Sequence, residues 1–235
     1  NLSLVAGGTL ILVPRFSQEE ILKLIHREKP TLMPGVPTLY IAMINAPNLQ
    51  KYDLSSIRVC ISGAAPLPLE VQNRFEALTG GRLREGYGLT ETSPGATMNR
   101  PTKYKIGTVG PAMGLGKVVI DKSVVGEDSI DGEVIIYGPN VMQGYHNKPE
   151  ATAAVMTPDG GFRTGDRGRL DAEGFLYITG RLKEQFKLEN GKYVFPVAIE
   201  EDIKLNHYIE NAMIYGEGRE FNIALIIPDF VALDK

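Results

Sequence analysis

The sequence predicts an α/β chain: a parallel α/β subdomain, then a small antiparallel β-barrel-like subdomain, then the start of an α+β C-terminal domain. Three observations predict it. Over residues 1–110, short apolar β-runs alternate with amphipathic helical runs, the pattern of a parallel sheet with crossover helices. Over residues 111–182 the helical pattern nearly disappears, and β-runs are joined by turn chemistry at Asp131-Gly132 and Asp159-Gly160. The charged run Arg181-Leu182-Lys183-Glu184 then precedes a further helix and strands, which sets a boundary at Lys183 and makes residues 183–235 a third unit.

Each element has its own signal. Residues 9–13 are a short apolar β-run. Ser17 is an N-cap residue with Glu20 three positions on, and Ile21, Leu24 and Ile25 give the helix that follows one apolar stripe. Residues 31–33 are a second strand. Pro37, with its fixed φ, suits the first turn of a helix over 38–44. Residues 57–61 form a buried strand, 68–78 a helix, and 81–84 a further strand. In the second unit the strands are 117–121, 133–137 and 175–178, with one helix at 149–156. In the third, a turn at Asn190-Gly191 precedes a helix at 197–205 and strands at 212–215 and 223–227.

Composition narrows the function. Of 235 residues, 43% are hydrophobic, enough for a buried core. Net charge is −3 with no basic run, which gives nucleic acid no electrostatic foothold. The single cysteine, Cys60, lies in an apolar strand and reads as a buried thiol, in keeping with a reducing compartment. His26, His146 and His207 are scattered and suggest no catalytic set. No apolar stretch reaches transmembrane length. The chain starts at Asn1 and runs at once into apolar sequence, as a piece of a longer protein would.

Ligands of parallel α/β sheets bind beyond the carboxyl ends of the strands, and two small-residue loops follow strands in that way. In Ser62-Gly63-Ala64-Ala65-Pro66, small side chains let a flat ring lie against the main chain; tight strand-to-helix packing is the plainer explanation. The same run is no nucleophile elbow, since Cys60 and Ala64 stand where glycines are needed. In Glu85-Gly86-Tyr87-Gly88-Leu89-Thr90-Glu91-Thr92, two glycines flank one aromatic ring that can face a nucleobase. Thr90 offers a hydroxyl to a phosphate and Glu91 a hard oxygen suited to Mg²⁺. A helix cap is the plainer use of Thr90, but no periodic apolar run follows to make the helix. Asp166, in Thr164-Gly165-Asp166, can accept from both hydroxyls of a ribose, or can bond its own turn. Arg181 carries five fixed donors for ribose or phosphate oxygens, or for a surface ion pair. Gly114-Leu115-Gly116-Lys117 fails as a phosphate loop because Pro111 and Val118 occupy required Gly and Ser/Thr positions.

The order of these pieces is itself informative. Residues 62–66, 86–91, Gly107 to Gly110, 132–145, 164–166 and 180–200 together resemble the adenylate-forming superfamily of acyl-CoA synthetases, peptide-synthetase adenylation domains and luciferases. The run from Lys187 to Glu200 looks most like the long-chain fatty acid–CoA ligases. The resemblance implies the site. Ala64, Ala65, Pro66 and Tyr87 would frame adenine, and Gly63, Glu85, Gly86 and Gly88 would belong to the nucleotide-binding set. Thr90 would hold the α-phosphate and Glu91 the Mg²⁺. Asp166 and Arg181 would take the ribose hydroxyls, with Ile178 in the nucleotide-binding set. Lys183 would be the hinge about which the C-terminal domain swings, Gly191 would border the pantetheine tunnel, and Val36 and Tyr40 would wall the acyl pocket. The implied substrates are ATP, giving AMP, together with a fatty acid and coenzyme A. The alternatives are an acyl-AMP ligase, an amino-acid adenylation domain or a non-catalytic nucleotide-binding module. The implied location is cytoplasmic, with room for peripheral membrane association of the parent enzyme. Two departures stand out. Gly161 occupies a position that is usually aromatic. The superfamily's phosphate loop and adenylation lysine fall upstream of Asn1 and downstream of Lys235, so the isolated chain is expected to be inactive.

Overall fold

The computed structural model describes residues 5–124 and 129–233. Ser17 starts helix α1 (Gln18–Glu28): its side chain accepts the Glu20 N–H at 3.4 Å, and Lys29 ends the helix in the left-handed region. Strand β1 (Leu32–Gly35) leads to α2 (Pro37–Ile44), which has proline in its first turn. Strand β2 (Val59–Ser62) leads to α3 (Leu69–Thr79), which ends on Gly80 at φ 71°. Strand β3 (Arg82–Gly88) turns back into β4 (Gly95–Met98). The sheet order is β1-β2-β3-β4, with β1, β2 and β3 parallel and β4 antiparallel to β3. One face carries a core of Leu22, Ile25, Tyr40, Met43, Cys60, Val71, Phe75 and Leu83, and the Tyr40 and Phe75 rings meet edge to face at 5.0 Å. A fully buried side chain such as Phe75 contributes about 1.5–3 kcal/mol.

The second unit is a meander of β5 (Lys117–Asp121), β6 (Gly132–Tyr137), β7 (Phe162–Leu170) and β8 (Leu176–Arg181), with α4 (Pro149–Val155) between β6 and β7. It is a four-stranded sheet with β5 and β8 at its two edges, and its register shifts at Glu133/Ile135 and at Arg167/Gly168. Its core of Val118, Val134, Ile136 and Leu176 includes Ala96 from β4, and Tyr87 and Leu89 pack against it. The carboxyl end of β3 is thereby held between the two sheets. The third unit has a short hairpin of β9 (Phe186–Lys187) and β10 (Tyr193–Val194), then α5 (Pro196–Ile203), then a ribbon of β11 (Ile209–Tyr215) and β12 (Ile223–Pro228), and finally α6 (Phe230–Leu233).

Some expectations are corrected. Residues 9–13 form no strand. Leu10 and Leu12 are 63% and 77% exposed, and apolar residues become a strand only where another strand completes their hydrogen bonds. The strand expected to end at Arg84 runs on to Gly88, because Gly86 and Tyr87 pair with Met98 and Thr97. The first half of the Gly-Tyr-Gly segment is therefore strand, not loop. Asp166 likewise lies within β7, not in a turn.

Candidate nucleotide site

Two segments leave the parallel strands at one edge. After β2, Ser62 to Pro66 turns with Ala64 at φ 71°, a left-handed conformation that costs an alanine about 1–2 kcal/mol. The turn is tied on both sides. Gly63 donates its N–H to the Gly35 carbonyl at 3.2 Å, and Leu67 donates its N–H to Glu85 Oε1 at 3.1 Å. Burial pushes the Glu85 carboxyl up to about 7, while the Leu67 N–H pulls the other way. A Cβ at Gly63 would lie 3.5 Å from the Gly86 carbonyl, so Gly63 runs beside the Gly-Tyr-Gly backbone. A Cβ at Gly88 would collide with the Pro94 carbonyl, which is why glycine closes the β3–β4 turn.

Tyr87 reaches out of β3 to the second sheet. Its hydroxyl donates to Asp166 Oδ2 at 2.5 Å, and Arg181 Nε lies 3.1 Å from Asp166 Oδ1. Asp166 and Arg181 face each other across β7 and β8, so strand register makes this pair. Gly165 beside them sits at φ 72°. Asp166 is 4% exposed, whereas the Arg181 side chain is 60% exposed. Burial raises the Asp166 pKa, and Tyr87 and Arg181 oppose the rise. Burial and the neighbouring carboxylate push the Tyr87 phenol upward, so it remains a donor.

The residues after Gly88 form a 3-10 turn, Thr90–Thr92. The cap is made by Thr92, not Thr90: the Leu89 N–H donates to Thr92 Oγ1 at 2.9 Å, and that hydroxyl donates to the Leu89 and Pro94 carbonyls. Thr90 is left exposed. Glu91 Oε1 accepts from the Tyr145 hydroxyl at 2.8 Å. Among the described residues no group of three or more His, Cys, Asp or Glu could hold a metal. A lone carboxylate still fits Mg²⁺, which is commonly held by one or two carboxylates together with phosphate oxygens.

Other expected residues lie apart from these contacts. Ile178 packs against the second core. Lys183 is exposed in the turn between β8 and β9, and Gly191 is exposed in the next hairpin at φ 83°. Tyr40 is wholly buried, with its hydroxyl donating to the Met33 and Ile61 carbonyls, so it serves the core. At Gly161, a Cβ would lie 2.5 Å from Tyr137 Cζ: the Tyr137 ring already fills the space an aromatic residue would take. Burial pushes the Cys60 thiol up to about 12, as suits an inert core residue. Tyr145 and Leu67 were missed as site residues. Their parts depend on pairings across 54 and 18 positions, which no local pattern announces.

The buried Asp166 carboxylate, between Tyr87 and Arg181, meets the carboxyl end of β3, the region where parallel α/β sheets take their ligands. Residues 1–146 match the AMP-binding enzyme family, and residues 183–234 match the AMP-binding enzyme C-terminal domain. The chain belongs to this family of AMP-binding, adenylate-forming enzymes. It is 44% identical over its full length to a long-chain-fatty-acid–CoA ligase of Bacillus subtilis (strain 168), of which it spans 42%. It is 36% identical to 4-coumarate–CoA ligase 1 of Glycine max, over 89% of this chain and 74% of that protein. Among solved structures, ATP-bound MatB from Rhodopseudomonas palustris superposes with a TM-score of 0.80 at 31% identity, over 97% of this chain and 46% of that one.

Proposed function

We propose that the chain is part of an ATP-dependent fatty acid–CoA ligase acting on long-chain acids. The observation that carries the nucleotide part is the convergence of Tyr87, Asp166 and Arg181 from two separate sheets. The 44% identity to a fatty-acid ligase supports the choice of acid. In this proposal residues 1–110 and 111–182 are the two subdomains that hold the nucleotide, and residues 183–235 begin a mobile C-terminal domain hinged at Lys183. Gly63 to Pro66 and Glu85 to Gly88 frame adenine. Asp166 accepts from the ribose hydroxyls, and Arg181 adds donors from the solvent side. Thr90 donates to the α-phosphate. Glu91 would hold Mg²⁺, which supplies neutralisation of phosphate charge when bound. The fatty carboxylate attacks the α-phosphorus and pyrophosphate leaves; the thiol of coenzyme A then attacks the acyl carbon and AMP leaves. Residues of this chain act by positioning and by charge stabilisation, the main resources of such chemistry.

A second choice of acid has its own support. The Glycine max relative acts on 4-coumarate, so an aromatic acid is the competing substrate. A protein of the relatives' full length that contains this chain would be assayed for acid-dependent pyrophosphate exchange, with and without coenzyme A. Exchange with long-chain fatty acids well above that with 4-coumarate and ferulate is the expected result. The reverse order overturns the choice of acid, and no exchange with any acid overturns the enzyme assignment. A cytoplasmic location with peripheral membrane contact belongs to the same proposal; its support is the reduced thiol of Cys60 and an apolar substrate.

A further inference from the structure

Glu91 is held by a second segment, between β6 and α4. Met142 donates its N–H to the Glu91 carbonyl at 2.8 Å, and Asn140 Nδ2 donates to the Thr92 and Gly95 carbonyls at 3.0 and 2.9 Å. These bonds already fix the backbone of the 3-10 turn. The Tyr145 hydroxyl adds one contact of a different kind, to the Glu91 carboxylate itself at 2.8 Å. Tyr145 is in turn fixed from behind. Its N–H donates to Thr152 Oγ1 at 2.9 Å, and that hydroxyl donates to the Lys148 carbonyl at 2.9 Å. A Cβ at Gly144 would lie 2.8 Å from Thr152 Cγ2, so glycine there lets the segment pass close to α4. The bond to Glu91 pushes the phenol upward, and it stays a donor.

We propose that Tyr145 is a positioning residue for the divalent cation that accompanies the nucleotide: its hydroxyl engages Glu91 Oε1, holds the carboxylate in one rotamer and leaves Oε2 to the cation. This role rests on Glu91 meeting the cation, as proposed above. A free glutamate loses its rotamer freedom on gripping a cation, and a carboxylate ordered beforehand loses less. The phenol adds nothing to the backbone of the turn, so its effect falls on metal-dependent binding alone.

The test compares the wild-type chain with Tyr145→Phe and Glu91→Gln. ATP affinity is measured by calorimetry in Mg²⁺ and again in EDTA, and the ratio of the two is the readout. Tyr145→Phe is expected to lower the Mg²⁺ advantage by roughly tenfold, the order of freezing one glutamate rotamer, with affinity in EDTA unchanged. Thr152→Ala, which frees Tyr145 from behind, is expected to act in the same direction and less. If Tyr145→Phe weakens ATP equally in both media, the tyrosine is merely structural and the proposal fails. If Glu91→Gln removes the Mg²⁺ advantage and Tyr145→Phe does not, the tyrosine role fails and the metal role of Glu91 stands. If neither changes it, both fall.

Discussion

Glu85 carries the clearest pH dependence at the scale of single residues. Its carboxyl titrates near 7 in the folded chain, against an ordinary value of 4.5. Below pH 4.5 it is protonated in folded and unfolded chains alike. Between pH 4.5 and 7 the unfolded chain ionises while the folded chain keeps its proton, so this group makes stability fall as the pH rises. The loss is about 3 kcal/mol in all and is complete above 7. Glu85→Gln keeps an acceptor for the Leu67 N–H and cannot ionise. Its urea midpoint is expected to gain on wild type steadily from pH 4.5 to 7; parallel curves would show that the Glu85 charge is already solvated. Ala64 makes a related point. A left-handed alanine is a strained choice, and it falls in the turn that runs beside the Gly-Tyr-Gly backbone.

At the scale of elements, the turn between β3 and β4 sets the site. Gly88→Ala is expected to cost about 1–3 kcal/mol, because its Cβ meets main chain that cannot rotate away. Denaturation of the variant checks this: an unchanged urea midpoint would mean the turn is looser than its geometry. The same turn explains what the sequence does and does not reveal. The first two helices were legible because Ser17 and Pro37 mark their starts by side-chain and backbone chemistry that acts within a few residues. Strands β4 and β7 were not. Glycines and prolines around Gly95 and glycines in β7 look like loop, and only pairing with β3, β6 and β8 makes them strand. Tyr87, Asp166 and Arg181 were legible as candidates through their flanking glycines and their order along the chain. Their mutual contact was not, since it depends on two sheets meeting.

The whole molecule joins a mostly parallel sheet to an antiparallel one, with the expected nucleotide seat at their junction and Lys183 just beyond it. In a protein of the relatives' full length, Lys183→Pro is expected to separate the two half-reactions, since proline fixes φ and would hold one arrangement of the C-terminal domain. Pyrophosphate exchange would survive while thioester formation fails if the adenylating arrangement is the one held. A parallel loss of both, together with lowered stability, would make Lys183 an ordinary linker. The central claim is that Asp166 binds ribose while Tyr87 and Arg181 hold it in place. It is tested most directly by calorimetric titration of wild-type and Asp166→Ala chains with AMP and with 2′,3′-dideoxy-AMP. Wild type is expected to prefer AMP, and Asp166→Ala to lose about 2–4 kcal/mol of AMP affinity while binding the dideoxy nucleotide nearly as wild type does. Equal affinity of the wild-type chain for the two nucleotides, or an equal loss for both in the variant, would contradict it.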